Sequence, residues 1–332
     1  MIRRILSGIL LLFAIAIGIG LFFYLQFKPA KDPSFGITFS DVYAESLGFD
    51  PMTVYMDMLT DLKPKKIRLV AYWDQIEKNR GQYDFKRLDE MLTEAQNRKV
   101  DVILTLGKKV PRWPECHQPD WYKDLDAAQQ QQALLNMITN AVNHVKHYGA
   151  IKSWQIENEP YFVFGIDCPK QNQADLLKEV KTVKDLDKRP VILTGSGEQG
   201  DWNQLPKAGA DIVGVTMYRT VYSDRFGYYK YPIGPWFYRM KAGYLKYFKN
   251  KPVIGVELQT EPWLLSGIFH TDVAQQKTLM NAKVFEANVA YARKAGFQDN
   301  YLWGVEWWYW MAKKQNDWGM WAYAKDLLAG NK

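Results

Sequence analysis

Cysteine and histidine are scarce: two cysteines, Cys116 and Cys168, and four histidines stand among 332 residues. Cys116 with the adjacent His117 fits no common zinc spacing. His144 and His147, three apart on a helical pattern, make half a metal site, and no carboxylate partner in the pattern completes it, so a solvated helix face is the better reading. No metal or organic cofactor is expected. Low-complexity segments are absent, and no internal linker divides the body. Basic residues outnumber acidic ones, 43 to 36, but they are scattered, as in KPKK at 63–66 and LKYFKNK at 245–251. The lack of a basic stripe argues against a nucleic-acid partner and suits a solvated surface near an anionic envelope.

One long apolar run is present, at the amino terminus, where Arg3 and Arg4 lead roughly 23 apolar residues, enough to cross a bilayer. No small-x-small motif closes the run, because 21–27 is bulky and aromatic, so an uncleaved signal anchor is expected over residues 1–27. The leading arginines place the amino terminus in the cytoplasm and the body outside the cell membrane, in a single-pass arrangement. Residues 28–34 read as a short tether. In that compartment a disulfide between Cys116 and Cys168 ranks ahead of free thiols and of a metal site.

The body, 35–330, alternates short β-branched runs with helical patterns. Candidate strands are 33–39, 65–73, 100–107, 151–158, 189–195, 210–218, 251–258 and 300–308. Amphipathic helices are expected at 84–99, 126–148, 174–187 and 272–295; in the first, Leu88, Met91, Leu92 and Ala95 repeat at three and four. The fifth helical unit is poor, short and interrupted by Pro206. Strand and helix in alternation imply a parallel sheet with crossover helices. Eight such strands imply a closed (β/α)₈ barrel, with the amino-terminal helix as its appendage.

The active face of such a barrel lies at the C-terminal strand ends. Polar residues there are Arg68, Asn158, Glu159, Glu198, Tyr218 and Glu257, with Trp307 and Trp308 after the last strand. Glu159 and Glu257 end the fourth and seventh strands. Glycoside hydrolysis uses two carboxyl groups, one to protonate the leaving oxygen and one to attack the anomeric carbon or activate water. Strand alternation favours Glu257 over its neighbours Glu261 and Glu306, since it follows Val253 and Gly255 on one face. The GSGEQG of 195–200 formally fits a dinucleotide-binding pattern, but no long helix follows it, so a fifth-strand loop is expected, with Glu198 as a sugar contact.

The NEP of Asn158–Pro160, Glu257, Arg68 and Tyr218 resemble the retaining glycoside hydrolases of clan A, which carry catalytic carboxylates on strands four and seven. The stretch YWDQIEKNRGQYDF, 72–85, is similar to one that follows the second strand in β-galactosidase-like members. The resemblance implies Glu159 as general acid/base, Glu257 as nucleophile, Asn158 on the sugar 2-hydroxyl, Tyr218 against the nucleophile, and Arg68 holding Glu257 ionised. Thr216 and Met217 precede Tyr218 where many cellulase-like members have a histidine. Trp73, Trp113, Trp263, Trp307 and Trp308 follow strand ends, where flat rings suit the C–H face of a pyranose; His117 is a further candidate contact. Trp154 and Trp303 are expected in the core. Cys116 and Cys168 follow neighbouring strands, and a bond between them would pin two loops beside Glu159. The expected substrate is a β-linked oligo- or polysaccharide. The alternatives are an inactive carbohydrate-binding barrel and an envelope-glycan transglycosylase.

Overall fold

The computed structural model describes residues 2–331. Eight strands close a barrel: β1 Ser34–Thr38, β2 Lys66–Val70, β3 Asp101–Leu106, β4 Ile151–Ile156, β5 Val191–Gly195, β6 Ile212–Met217, β7 Val253–Gln259 and β8 Asp299–Trp303. Each pairs in parallel with its sequence neighbours, and β8 closes on β1. This is the (β/α)₈ architecture that the alternation implies.

Apolar residues divide into two layers. Ile103, Ile192, Ile254, Val256 and Tyr301 form a small cluster of their own. A larger core joins strands to helices and includes Trp154, Trp307 and Trp308. Helices Lys86–Asn97, Ala127–Val145 and Gln173–Leu186 stand within a few residues of their expected places. The second begins at a capping box, with Asp126 and Gln129 each satisfying the other's backbone N–H. The weak fifth unit is a single turn, Gln204–Lys207.

Three departures from the sequence reading matter. The expected helix 272–295 is two, Val273–Leu279 and Ala282–Ala295, because the Asn281 side chain caps the second by accepting from the N–H groups of Lys283 and Val284. Between β6 and β7 stand an antiparallel hairpin, Thr220–Ser223 with Gly227–Lys230, and a helix, Pro235–Lys249, neither of which is among the strands and helices expected from the sequence. The eighth strand stops at Trp303. Gly304, at φ 131°, turns the chain in a way open to glycine, and helix Val305–Gln315 follows at once.

At the amino terminus, helix Ile2–Gln26 contains a stretch, Arg3–Gln26, long and apolar enough to cross a membrane. Residues 28–34 are not a free tether. Ala30 donates its N–H to Gly296 at 2.9 Å and Ser34 to Gln298 at 2.8 Å, which ties the segment to the floor of the barrel.

Candidate active site

The fourth strand ends in an irregular turn. Glu157 and Glu159 both adopt left-handed conformations, at φ 56° and 45°, so three successive side chains leave in directions that an extended strand does not allow. Glu157 turns inward and accepts the backbone N–H groups of Lys108 (2.8 Å) and Lys109 (2.6 Å). This residue, without a role in the sequence reading, locks the loop after β3 to the end of β4. Gly107 must be glycine there, since a Cβ would stand 2.7 Å from the Glu157 carboxyl.

Glu257 reaches the mouth by a different device. Its neighbours Ile254 and Val256 belong to the small cluster and Val253 and Leu258 to the larger core, so strict alternation would set Glu257 apart from Val256. The register slips instead. Val215 pairs with Gly255 and Thr216 with Glu257; on the other side Asn300 pairs with Gly255 and Leu302 with Leu258. A bulge at this level turns Glu257 toward Arg68 and Tyr218, where simple alternation would not have aimed it.

Arg68 organises the centre. It is fully buried, and donates from Nε to Gln155 Oε1 (2.7 Å), from Nη1 to Glu257 Oε1 (2.8 Å) and from Nη2 to Asn158 Oδ1 (2.9 Å). Tyr218 donates its hydroxyl to Glu257 Oε2 at 3.1 Å. Both oxygens of Glu257 are therefore held. Glu159 is anchored on the opposite side: its backbone N–H bonds Thr194 Oγ1 (2.8 Å), and its Oε1 accepts from Thr216 Oγ1 (3.2 Å). Thr216 is also the strand partner of Glu257, so the residue that donates to one carboxyl group is the backbone neighbour of the residue bearing the other.

Burial, the Glu257 charge and then the Glu115 charge push the Glu159 carboxyl up to about 8. Glu115 was not singled out from the sequence. Its buried carboxyl, 3.4 Å from Asn158 Nδ2, is pushed up to about 7 by burial and by Glu257. Beside these acids Lys109 donates to the carbonyls of Glu159 (3.1 Å) and Phe162 (2.5 Å), and burial lowers its pKa. The Cys116–Cys168 disulfide is formed, with Cα atoms 5.6 Å apart, and joins the loop bearing Glu115 to the one after Glu159.

Aromatic rings rim the mouth. Trp113 is exposed and packs edge-on to Phe164 (5.9 Å), Phe164 meets Trp263 (5.6 Å), and Trp263 stands edge-on to Tyr218 (5.6 Å). Phe164 is a member that the sequence did not signal.

Five expected contacts lie elsewhere. Trp73 is buried and donates to Glu77 Oε2 at 2.6 Å. Trp307 and Trp308 sit in the helix after Gly304, fully buried, donating to Gln276 and to the Thr260 carbonyl. His117 is closed in, with Nε2 3.0 Å from the Arg112 carbonyl and Nδ1 3.3 Å from Asp74. Glu198 accepts from the Tyr218 N–H (2.8 Å) and the Tyr238 hydroxyl, so it positions Tyr218 rather than facing the mouth; burial pushes its carboxyl up to about 7. The loop bearing it needs Gly197, because a Cβ would stand 1.9 Å from the Thr216 carbonyl oxygen. Arg112 is paired with Glu261 and Glu306, which removes both rivals of Glu257 from the centre. His144 does have a carboxylate partner, Asp89 at 2.8 Å, yet no cluster of three potential metal ligands exists among the described residues.

Residues 70–164 match the family model of glycosyl hydrolase family 10, a span that holds Glu115, Asn158 and Glu159. The β-galactosidase BgaA of Clostridium cellulovorans is 23% identical over 171 residues, which are 45% of this chain and 26% of that protein; the chain spans about a quarter of that relative. The endo-1,4-β-xylanase XylE of Penicillium canescens shares the fold at a TM-score of 0.58 and 16% identity, over 89% of this chain and 94% of that one. For Xylanase10C of Cellvibrio japonicus the values are 0.57, 14%, 92% and 69%. For the exo-β-1,4-mannosidase Op5Man5 of Opitutaceae bacterium strain TAV5 they are 0.54, 14%, 84% and 53%. Barrel, partial family match and neighbours agree with the resemblance in the sequence: the chain folds as a (β/α)₈ barrel of the kind these glycosidases share.

Proposed function

We propose that this protein is a retaining glycoside hydrolase that cleaves a β-linked glycan outside the cell membrane, with Glu159 as acid/base and Glu257 as nucleophile. The observation that carries the reading is the unequal treatment of two neighbouring carboxyl groups. Glu257 is paired with a buried guanidinium and a phenol, whereas Glu159 has one hydroxyl and is pushed up to about 8. Environments that drive two titratable groups apart assign the acid and the base.

In the first step Glu159 gives its proton to the glycosidic oxygen as that oxygen leaves, and a Glu257 oxygen attacks the anomeric carbon. The ester so formed is uncharged, which removes the second-largest influence that raised Glu159. Glu159, now ionised, takes a proton from water, the water oxygen attacks the anomeric carbon, and the bond to Glu257 breaks. Asn158, held by Arg68 and Thr194, would meet the 2-hydroxyl, and the rings of Trp113, Phe164 and Trp263 would offer faces to further sugars.

Glu257→Gln tests the reading. A hydrolase loses turnover and keeps sugar binding; an inactive binding barrel shows no turnover in either form. Product analysis with an added acceptor sugar separates hydrolysis from transglycosylation, which uses the same two acids.

A further inference from the structure

The last turns of the amino-terminal helix lie directly on the barrel. At Gly243, in helix Pro235–Lys249, a Cβ would stand 1.6 Å from the Phe23 carbonyl oxygen, so the two backbones touch. Phe22 meets Tyr247 edge-on at 5.2 Å, Phe23 meets Tyr244 at 5.2 Å and Phe248 at 5.7 Å, and the Arg239 guanidinium lies 3.9 Å from the centre of the Tyr24 ring. Phe27 adds an edge contact to Phe297 at 5.8 Å. Trp236, Met240, Gly243 and Tyr247 recur at i, i+4, i+7 and i+11 and so form one stripe along the helix.

A hydrocarbon core of about 30 Å takes about 20 helical residues. Counted from Arg4, that length ends near Phe23, so the contact with the barrel falls where acyl chains give way to headgroups. The composition there suits that depth. Trp236, Tyr247 and Phe248 are 57%, 56% and 54% exposed, and Lys246 and Lys249 flank the last two in the open. Helix Pro235–Lys249 carries Arg239, Lys241, Lys246 and Lys249 and no acidic residue, and Lys28 and Lys31 follow the membrane helix. Aromatic rings with cations and no acids are what an anionic bilayer interface accommodates.

We propose that the outer face of helix Pro235–Lys249 lies in the interface of the bilayer crossed by the amino-terminal helix, with Trp236, Tyr247 and Phe248 at the acyl boundary and Lys246 and Lys249 toward the lipid phosphates. The barrel is then held on the membrane in one orientation instead of swinging on a tether, and its substrate is glycan within reach of that surface. The proposal rests on the reading of 3–26 as a membrane span.

The chain has no free cysteine, so one introduced thiol takes one label. The full-length protein is placed in vesicles of phosphatidylcholine and phosphatidylglycerol, with a fluorophore at Leu11→Cys in the span, Phe248→Cys on the proposed face, or Glu90→Cys on helix Lys86–Asn97, between β2 and β3 across the barrel. Lys246→Cys repeats the measurement should the Phe248 variant fail to fold. Labels at 11 and 248 should be quenched by a lipid-borne nitroxide and shielded from aqueous iodide, and the label at 90 should show the reverse. If the 248 and 246 labels behave like the one at 90 while 11 stays in lipid, the docking proposal fails and the span stands. If the label at 11 is also open to iodide, both fail. Gly243→Leu should drive the backbones apart and return the 248 label to iodide with the label at 11 unmoved; an unmoved 248 label would contradict the close approach as the cause.

Discussion

Arg68 Nη1 and Glu257 Oε1 lie 2.8 Å apart in a pair almost closed to solvent, with Arg68 side-chain exposure of 0% and Glu257 of 5%. Removing one partner strands a buried charge, which typically costs about 3–5 kcal/mol. Arg68→Met should therefore lower stability by that order in denaturant melts and abolish turnover. Arg68→Lys should retain more stability than Arg68→Met, but it cannot serve Gln155, Glu257 and Asn158 together, and turnover should stay low.

Glu159 has to carry a proton to act as the acid. With its carboxyl pushed up to about 8, kcat/KM should hold below that pH and fall as pH rises through it. Glu159→Gln should lose about 10²–10⁴ in rate, the usual contribution of a general acid. A substrate with an activated leaving group should be affected least in its first step.

Glu115 contributes to that high value, after burial and Glu257. Glu115→Gln should move the alkaline limb of the rate profile to lower pH and leave its shape intact. An unmoved limb would show that the Glu115 charge does not act on the acid.

The same groups set a pH dependence of stability. The folded protein holds protons on Glu115 up to about 7 and on Glu159 up to about 8, where an unfolded chain has released them above the ordinary carboxyl value of 4.5. Rising pH through that window therefore favours the unfolded state. Thermal midpoints should fall between about pH 4.5 and 8, and the slope should be shallower in Glu115→Gln.

The Cys116–Cys168 bond joins residues 52 apart in sequence. Chain-entropy arguments give such a loop about 4 kcal/mol of stabilisation. Cys116→Ser with Cys168→Ser should show a loss of that order and, because the bond links the loops of Glu115 and Glu159, a fall in kcat greater than the change in KM.

The barrel was legible because strands buried on both faces read as continuous apolar runs, and the acids Glu159 and Glu257 end two of them. Asn158 and Tyr218 were legible for the same reason, and Arg68 as the one charge in the middle of the apolar strand Lys66–Val70. What escaped depends on backbone conformations with no period. Arg112 and Glu115 sit at φ 89° and 72°, so nothing in the spacing of PRWPECH says which side chains turn inward. Gly304 ends the eighth strand early and sends Trp307 and Trp308 into the core, and the bulge at Val256 re-aims Glu257 against simple alternation. Helix Pro235–Lys249 escaped because its aromatic stripe meets another helix instead of the barrel alone.

The most direct test of the two-carboxylate assignment is the anomeric configuration of the first product released from aryl β-glycosides and β-1,4-linked xylo- and manno-oligosaccharides, followed by proton NMR. The β anomer should appear first, with the α anomer growing in only by mutarotation, and Glu257→Gln should stop both. An α anomer that appears first, or sugar binding without release of product in both the unaltered protein and Glu257→Gln, would contradict it.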